Sequence, residues 1–106
     1  MDYKIAIVGS PQAILGFKAL GLEAFPINSP DSGREVLKKI GLGHYAILLI
    51  SEDWAVVLEE ELNELKQRSL PAVTILPSQL GSSGLGYQEL RKIVEKAVGS
   101  DILFKN

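Results

Sequence analysis

Four short runs of apolar, mostly β-branched residues recur along the chain with an amphipathic segment between neighbours, and this alternation restricts the possible folds most. Tyr3-Lys4-Ile5-Ala6-Ile7-Val8, closed by Gly9, and Ala46-Ile47-Leu48-Leu49-Ile50 lack polar alternation. A strand of that composition is buried on both faces, as in a parallel sheet covered by helices. The run from Glu23 to Ile27 is weaker and contains Pro26, which removes a ladder donor and assigns the strand to a sheet edge. The fourth run, Ala72-Val73-Thr74-Ile75-Leu76, lies between Pro71 and Pro77. Strands alternating with helices build βαβ units with right-handed crossovers. The expected architecture is α/β: a four-stranded parallel sheet in order 2-1-3-4 with helices on both faces. A chain of 106 residues has room for one core.

The helical segments carry their own start and stop signals. Ser10-Pro11 opens the first, Ile14, Leu15, Phe17 and Leu20 supply its packing face, and Gly21 stops it. In the second, Ser32 and Glu35 have capping-box spacing, and Val36, Leu37 and Ile40 form a stripe before Gly41. The third is expected to be the longest, capped by Ser51, with Trp54, Leu58, Leu62 and Leu65 on one side and Glu59, Glu60, Glu61, Glu64, Lys66 and Arg68 on the other. Gly81-Ser82-Ser83-Gly84-Leu85-Gly86 reads as a hinge. A last helix then carries Leu90, Ile93, Val94, Ala97 and Val98 at helical spacing and ends at Gly99, before the apolar Ile102-Leu103-Phe104.

Composition removes several function classes. With 46% hydrophobic residues and a mean hydropathy of +0.16, the chain is expected to fold. A net charge of -2 argues against nucleic acid as the main partner, because phosphate binding needs clustered cations. The absence of cysteine excludes disulfides and thiol chemistry. The opening Met1-Asp2-Tyr3-Lys4 has no secretory leader pattern, and no apolar run reaches the roughly 20 residues needed to span a bilayer. A soluble cytoplasmic protein is expected.

No catalytic constellation emerges. Ligands of open α/β sheets gather at the carboxyl ends of strands, and those ends carry Gly9-Ser10-Pro11, Asn28-Ser29, Ser51-Glu52-Asp53 and Pro77-Ser78-Gln79. A phosphorelay receiver needs acidic residues after strand one and an aspartate ending strand three, where Gly9-Ser10 and Ser51 stand. Gly9 has no partners for a dinucleotide fingerprint, and the Gly/Ser stretch lacks a phosphate-loop lysine. The backbone of that stretch could hold an anion, or it is simply a connector. His44 is the only histidine and reads as a solvated turn residue. Ser10, Ser51 and Ser78 match no nucleophile elbow and read as caps. Glu52 and Asp53 complement the dipole of a helix start. Trp54 is either core or a partly exposed protein contact. The last helix and tail dock either on the chain's own sheet or on a partner helix.

In order and spacing, several stretches resemble the F subunit of the V/A-type rotary ATPases of bacteria and archaea. They are Lys4 to Gly9, Leu15 to Gly21, Ile47 to Glu52, Leu70 to Ser78, Gly84 to Gly86 and on through Val94 to Gly99, and Asp101 to Leu103. The resemblance covers essentially the whole chain. It implies a Rossmann-like (CheY-like) three-layer platform over 1–77, followed over 78–106 by a hinge loop, a mobile regulatory C-terminal helix and a tail. It further implies a noncatalytic rotor component without cofactor, whose nucleotide sites lie on other subunits. Such a component binds the long coiled-coil D subunit of the central stalk, which turns inside the ring of A and B subunits. It also helps join the stalk to the membrane rotor through the C subunit, peripheral to the membrane. Its role would be in coupling ATP hydrolysis or synthesis to proton or sodium transport. On this reading Leu90, Ile93, Val94 and Ala97 bear the contact with the D subunit, positioned by Pro77, Ser78, Gln79 and Leu80. The alternative is a stand-alone flavodoxin-like module for a small ligand or phosphotransfer, which requires a pocket at the strand ends.

Overall fold

The computed structural model describes residues 3–14, 17–18, 21–76 and 92. Its strands are β1 (Lys4–Gly9), β2 (Glu23–Pro26), β3 (Tyr45–Ser51) and β4 (Ala72–Leu76). The helices are α1 (Pro11–Ile14), α2 (Pro30–Leu42), α3 (Glu52–Val57) and α4 (Glu59–Lys66). All three ladders are parallel and the order is β2-β1-β3-β4, as the strand pattern predicts. Pro26 ends β2 on the sheet edge, opposite Gly9, where its missing N–H leaves no interior ladder broken.

The central strands divide their side chains between two cores. Ala6, Val8, Leu48 and Ile50 face α2, α3 and α4, where they meet Leu37, Ile40, Leu58, Leu62 and Leu65. Ile5, Ile7, Ile47 and Leu49 face the other side and meet Ile14, Phe17, Leu22 and Leu76. Fully burying each such aliphatic side chain contributes about 1.5–3 kcal/mol, so these two layers dominate the stability. Gly21 adopts φ 86°, a left-handed conformation that suits glycine, and its N–H donates to the carbonyl of Lys18.

Helix boundaries differ from expectation in three places. The second helix starts earlier: Ser29, not Ser32, is the N-cap, with extended φ of -153° and Pro30 following it. Ser29 Oγ accepts from Ser32 N–H at 3.1 Å, and Ser32 Oγ accepts from Ser29 N–H at 3.2 Å, so the reciprocal box joins two serines rather than Ser32 and Glu35. This helix also runs through Gly41 to Leu42, and the chain leaves it at Gly43. At 13 residues it is the longest described helix.

The segment after β3 is two helices, not one long one. Leu58 departs to φ -105°, ψ 28° and separates them, directly after the β-branched pair Val56-Val57, which are weak helix formers. Leu58 is fully buried against Gly33, where any side chain at position 33 would collide with it. Ser51 occupies the cap position of α3 without a side-chain cap bond. Of the first helix's expected packing face, Ile14 and Phe17 are buried, while Leu15 and Leu20 lie outside the described residues.

Candidate functional site

The carboxyl rim of the sheet is where this topology would hold a ligand, at the divergence of β1 and β3. Among the described residues, the chain's own atoms crowd the end of β1. A Cβ on Gly9 would lie 2.8 Å from Ile14 Cγ2 and 3.5 Å from Ser51 Oγ, so α1 and β3 close tightly over the end of β1. Ser10 uses its backbone carbonyl to accept from Ala13 N–H and Ile14 N–H, holding the first turn of α1. Its hydroxyl is engaged elsewhere. Ser10 Oγ accepts from the indole Nε1–H of Trp54 at 2.9 Å. Trp54 is half-buried at the start of α3 and packs against the α2–α4 core, in line with the core reading of its spacing.

Several other polar groups have structural partners. Asp53 Oδ1 accepts from the N–H of Trp54 at 3.1 Å, in the first turn of α3, where a carboxylate also suits the dipole. His44 is exposed just before β3, its carbonyl accepts from Lys4 N–H, and its ring meets Tyr3 edge-on with centroids 6.3 Å apart. Tyr45 donates its hydroxyl to Glu23 at 2.7 Å, and Glu23 also pairs with Lys4 at 3.4 Å. Burial, and then the Glu23 carboxylate, push the Tyr45 phenol up to about 12. Among the described residues no group of three or more His, Cys, Asp or Glu could hold a metal ion, and no helix is long and apolar enough to cross a membrane.

Three surface depressions are formed by described residues, and Gly9, Ser10 and Ser51 line none of these three. One lies between α2 and α4, with Leu37, Leu42 and Leu65 among mixed charges. Another, of about 350 Å3, runs along β4 between Ile75 and the α3–α4 pair. Two exposed aliphatic side chains line this second place, Val56 at 77% and Ile75 at 46% exposure, and Val57, the neighbour of Val56 in the chain, is 49% exposed outside that lining. Sequence reasoning passed over them. The signal was there in two adjacent valines between Asp53 and Glu59, a poor choice for a solvated helix face.

The residues expected to bind a partner, Pro77, Ser78, Gln79, Leu80, Leu90, Ile93, Val94 and Ala97, lie outside the described residues. They follow directly on Leu76, which pairs with Ser51 at the carboxyl rim.

Comparison with known proteins supplies what the geometry lacks. The family profile of the ATP synthase (F/14-kDa) subunit matches residues 5–94. The V-type ATP synthase F subunit of Clostridium perfringens is 37% identical over 103 residues, covering 97% of this chain and 98% of the relative. The V-type ATP synthase F subunit of Clostridium botulinum (strain Eklund 17B) is 36% identical over 103 residues, covering 97% of this chain and all of the relative. Among solved structures, the V-type ATP synthase F subunit from Archaeoglobus fulgidus matches with a TM-score of 0.62 at 13% identity. That match spans 72% of this chain and 99% of that one, and at such identity it is a likeness of fold.

Proposed function

The chain belongs to the family of the ATP synthase (F/14-kDa) subunit, whose members are noncatalytic parts of a rotary ATPase, and from that premise we propose that it is a central-stalk component binding the coiled-coil D subunit. The observation that carries this reading is the match to F-subunit relatives from end to end, covering 97% of this chain.

In this reading the sheet domain is a rigid body and residues 78–106 are the arm that grips the stalk. Leu90, Ile93, Val94 and Ala97 recur at helical spacing and form the apolar contact, with Pro77, Ser78, Gln79 and Leu80 setting its direction. Torque demands a joint that does not slip, and apolar packing meets that demand better than rim charges, each worth at most about 1 kcal/mol when exposed. Burial of a few hundred Å2 contributes several kcal/mol at about 25 cal/mol per Å2 before the costs of association. The C subunit of the membrane rotor and the ring of A and B subunits are the further neighbours, and the protein sits on the cytoplasmic side, peripheral to the membrane. It couples ATP hydrolysis or synthesis to proton or sodium movement through the stalk, with the C-terminal arm as its regulatory part.

The test is a double substitution, Ile93→Asp with Val94→Asp, in the full chain. Binding to the D subunit should be abolished while the circular dichroism spectrum and melting temperature hold. Undiminished binding by the folded variant would overturn the assigned contact.

A further inference from the structure

The helix that follows β3 is packed more thinly than its neighbours. α3 spans six residues, short of the length at which a helix sustains itself, and its one buried residue is Ala55. By contrast, α4 buries Leu62 and Leu65, and α2 buries Leu37 and Ile40. The methyl of an alanine removes far less apolar surface from water than two leucines do. Val56 and Val57 are β-branched, weak helix formers, and at 77% and 49% exposure they add little packing to offset that weakness. On the β4 side, the depression of about 350 Å3 lies beside Ala55 and Val56. Ser51 stands at the cap without a side-chain cap bond.

The two ends of α3 are tied down in different ways. At the far end, the backbone of Leu58 leaves helical geometry at φ -105°, ψ 28°, while its side chain is fully buried and abuts Gly33 of α2. A residue anchored by its side chain and non-helical in its backbone has the makings of a pivot. At the near end, Trp54 Nε1–H donates to Ser10 Oγ at 2.9 Å, and the half-buried indole packs on the α2–α4 core. Ser51, the cap of α3, pairs with Leu76, so α3 begins beside the point where β4 passes the chain on to Pro77.

We propose that α3 is a latch that opens as a unit about Leu58, with the Trp54–Ser10 bond as its catch, while the sheet, α2 and α4 stay folded. Opening breaks that bond and lifts the indole from the core. It also releases the helical bond from Leu58 N–H to the Trp54 carbonyl, 2.9 Å long in the closed state. Local openings draw on the least buried elements of a fold and cost less free energy than global unfolding. The latch places a two-state element at the carboxyl rim, next to the root of residues 77–106. It is a property of the chain by itself and does not depend on the stalk reading.

Native-state hydrogen exchange of the full chain, read residue by residue by NMR, tests the latch. After correction for intrinsic rates, the amides of Val56, Val57 and Leu58 should exchange on the order of 100-fold faster than those of Leu62 and Leu65. Their rates should also respond less to low urea, because a local opening exposes less surface than global unfolding. Equal protection of the two helices would overturn the proposal. Ser10→Ala should then speed exchange at Val56, Val57 and Leu58 about fivefold, the factor for one lost hydrogen bond, because the catch is intact only in the closed state. Wild-type rates at these amides in the folded variant would also overturn it, since the Trp54–Ser10 bond would then play no part in the opening.

Discussion

The indole Nε1–H of Trp54 donates to the hydroxyl of Ser10 at 2.9 Å, joining α3 to the turn between β1 and α1 across 44 residues of sequence. The bond ties α3 to the carboxyl end of β1. Ser10→Ala should cost about 1 kcal/mol, because a part-buried donor loses its partner. Trp54→Phe removes the donor as well as packing. In the double variant the two losses should be less than additive by about 0.5–1.5 kcal/mol, measured by urea denaturation. Strict additivity would mean that the bond contributes nothing in solution.

A helix-interior glycine usually gains about 1 kcal/mol on replacement by alanine. Gly33 should behave in the opposite way. A Cβ there would lie 2.7 Å from Leu58 Cδ1 and 3.2 Å from Ile27 Cδ1, both on buried side chains. Overpacking costs about 1–3 kcal/mol, so Gly33→Ala should be destabilising by about 1 kcal/mol net. Leu58→Ala alone should cost about 2–5 kcal/mol. Adding Gly33→Ala to it should then restore stability, because the new methyl occupies vacated space. Denaturant midpoints for the four proteins of this cycle check the sign.

Tyr45 gives stability a dependence on alkaline pH. Its phenol is held neutral up to about 12, against 10.0 for an ordinary tyrosine, first by burial and then by Glu23. The folded state therefore keeps its proton where the unfolded chain releases it. The resulting contribution is complete below pH 10 and is lost as pH rises toward 12. Tyr45→Phe should flatten the pH profile of the denaturation midpoint in this window. Tyrosinate absorbance should show one of the three tyrosines ionising late in the wild type.

The relocated cap of α2 separates two serine-based readings. Ser29→Ala should lower stability by about 1 kcal/mol, since Ser29 Oγ satisfies the N–H of Ser32. Glu35, which the spacing from Ser32 singles out, is exposed, and Glu35→Ala should stay within about 0.5 kcal/mol of wild type. Thermal melts of the two single variants decide between them.

Strand order was readable because burial leaves a compositional trace: β3 is apolar throughout, whereas β2 contains Pro26 and so had to be an edge. Helix ends were harder, because neighbouring serines near a start satisfy the same local rule and only backbone geometry chooses Ser29. The break at Leu58 was hidden for another reason: Trp54, Leu58, Leu62 and Leu65 keep helical spacing across it. The Trp54–Ser10 bond is a tertiary contact with no periodicity to reveal it. The exposed pair Val56 and Ile75 likewise comes from two separate elements, and it exists only once β4 lies beside α3.

Membership of the rotor through the D subunit is tested most directly by mixing the purified protein with the coiled-coil stalk protein of its own organism. Size-exclusion chromatography with light scattering then reads the mass of what elutes. A stable one-to-one complex, with the summed mass of the two chains, is the expected result. Separate elution of two folded proteins at micromolar concentration would contradict the stalk assignment.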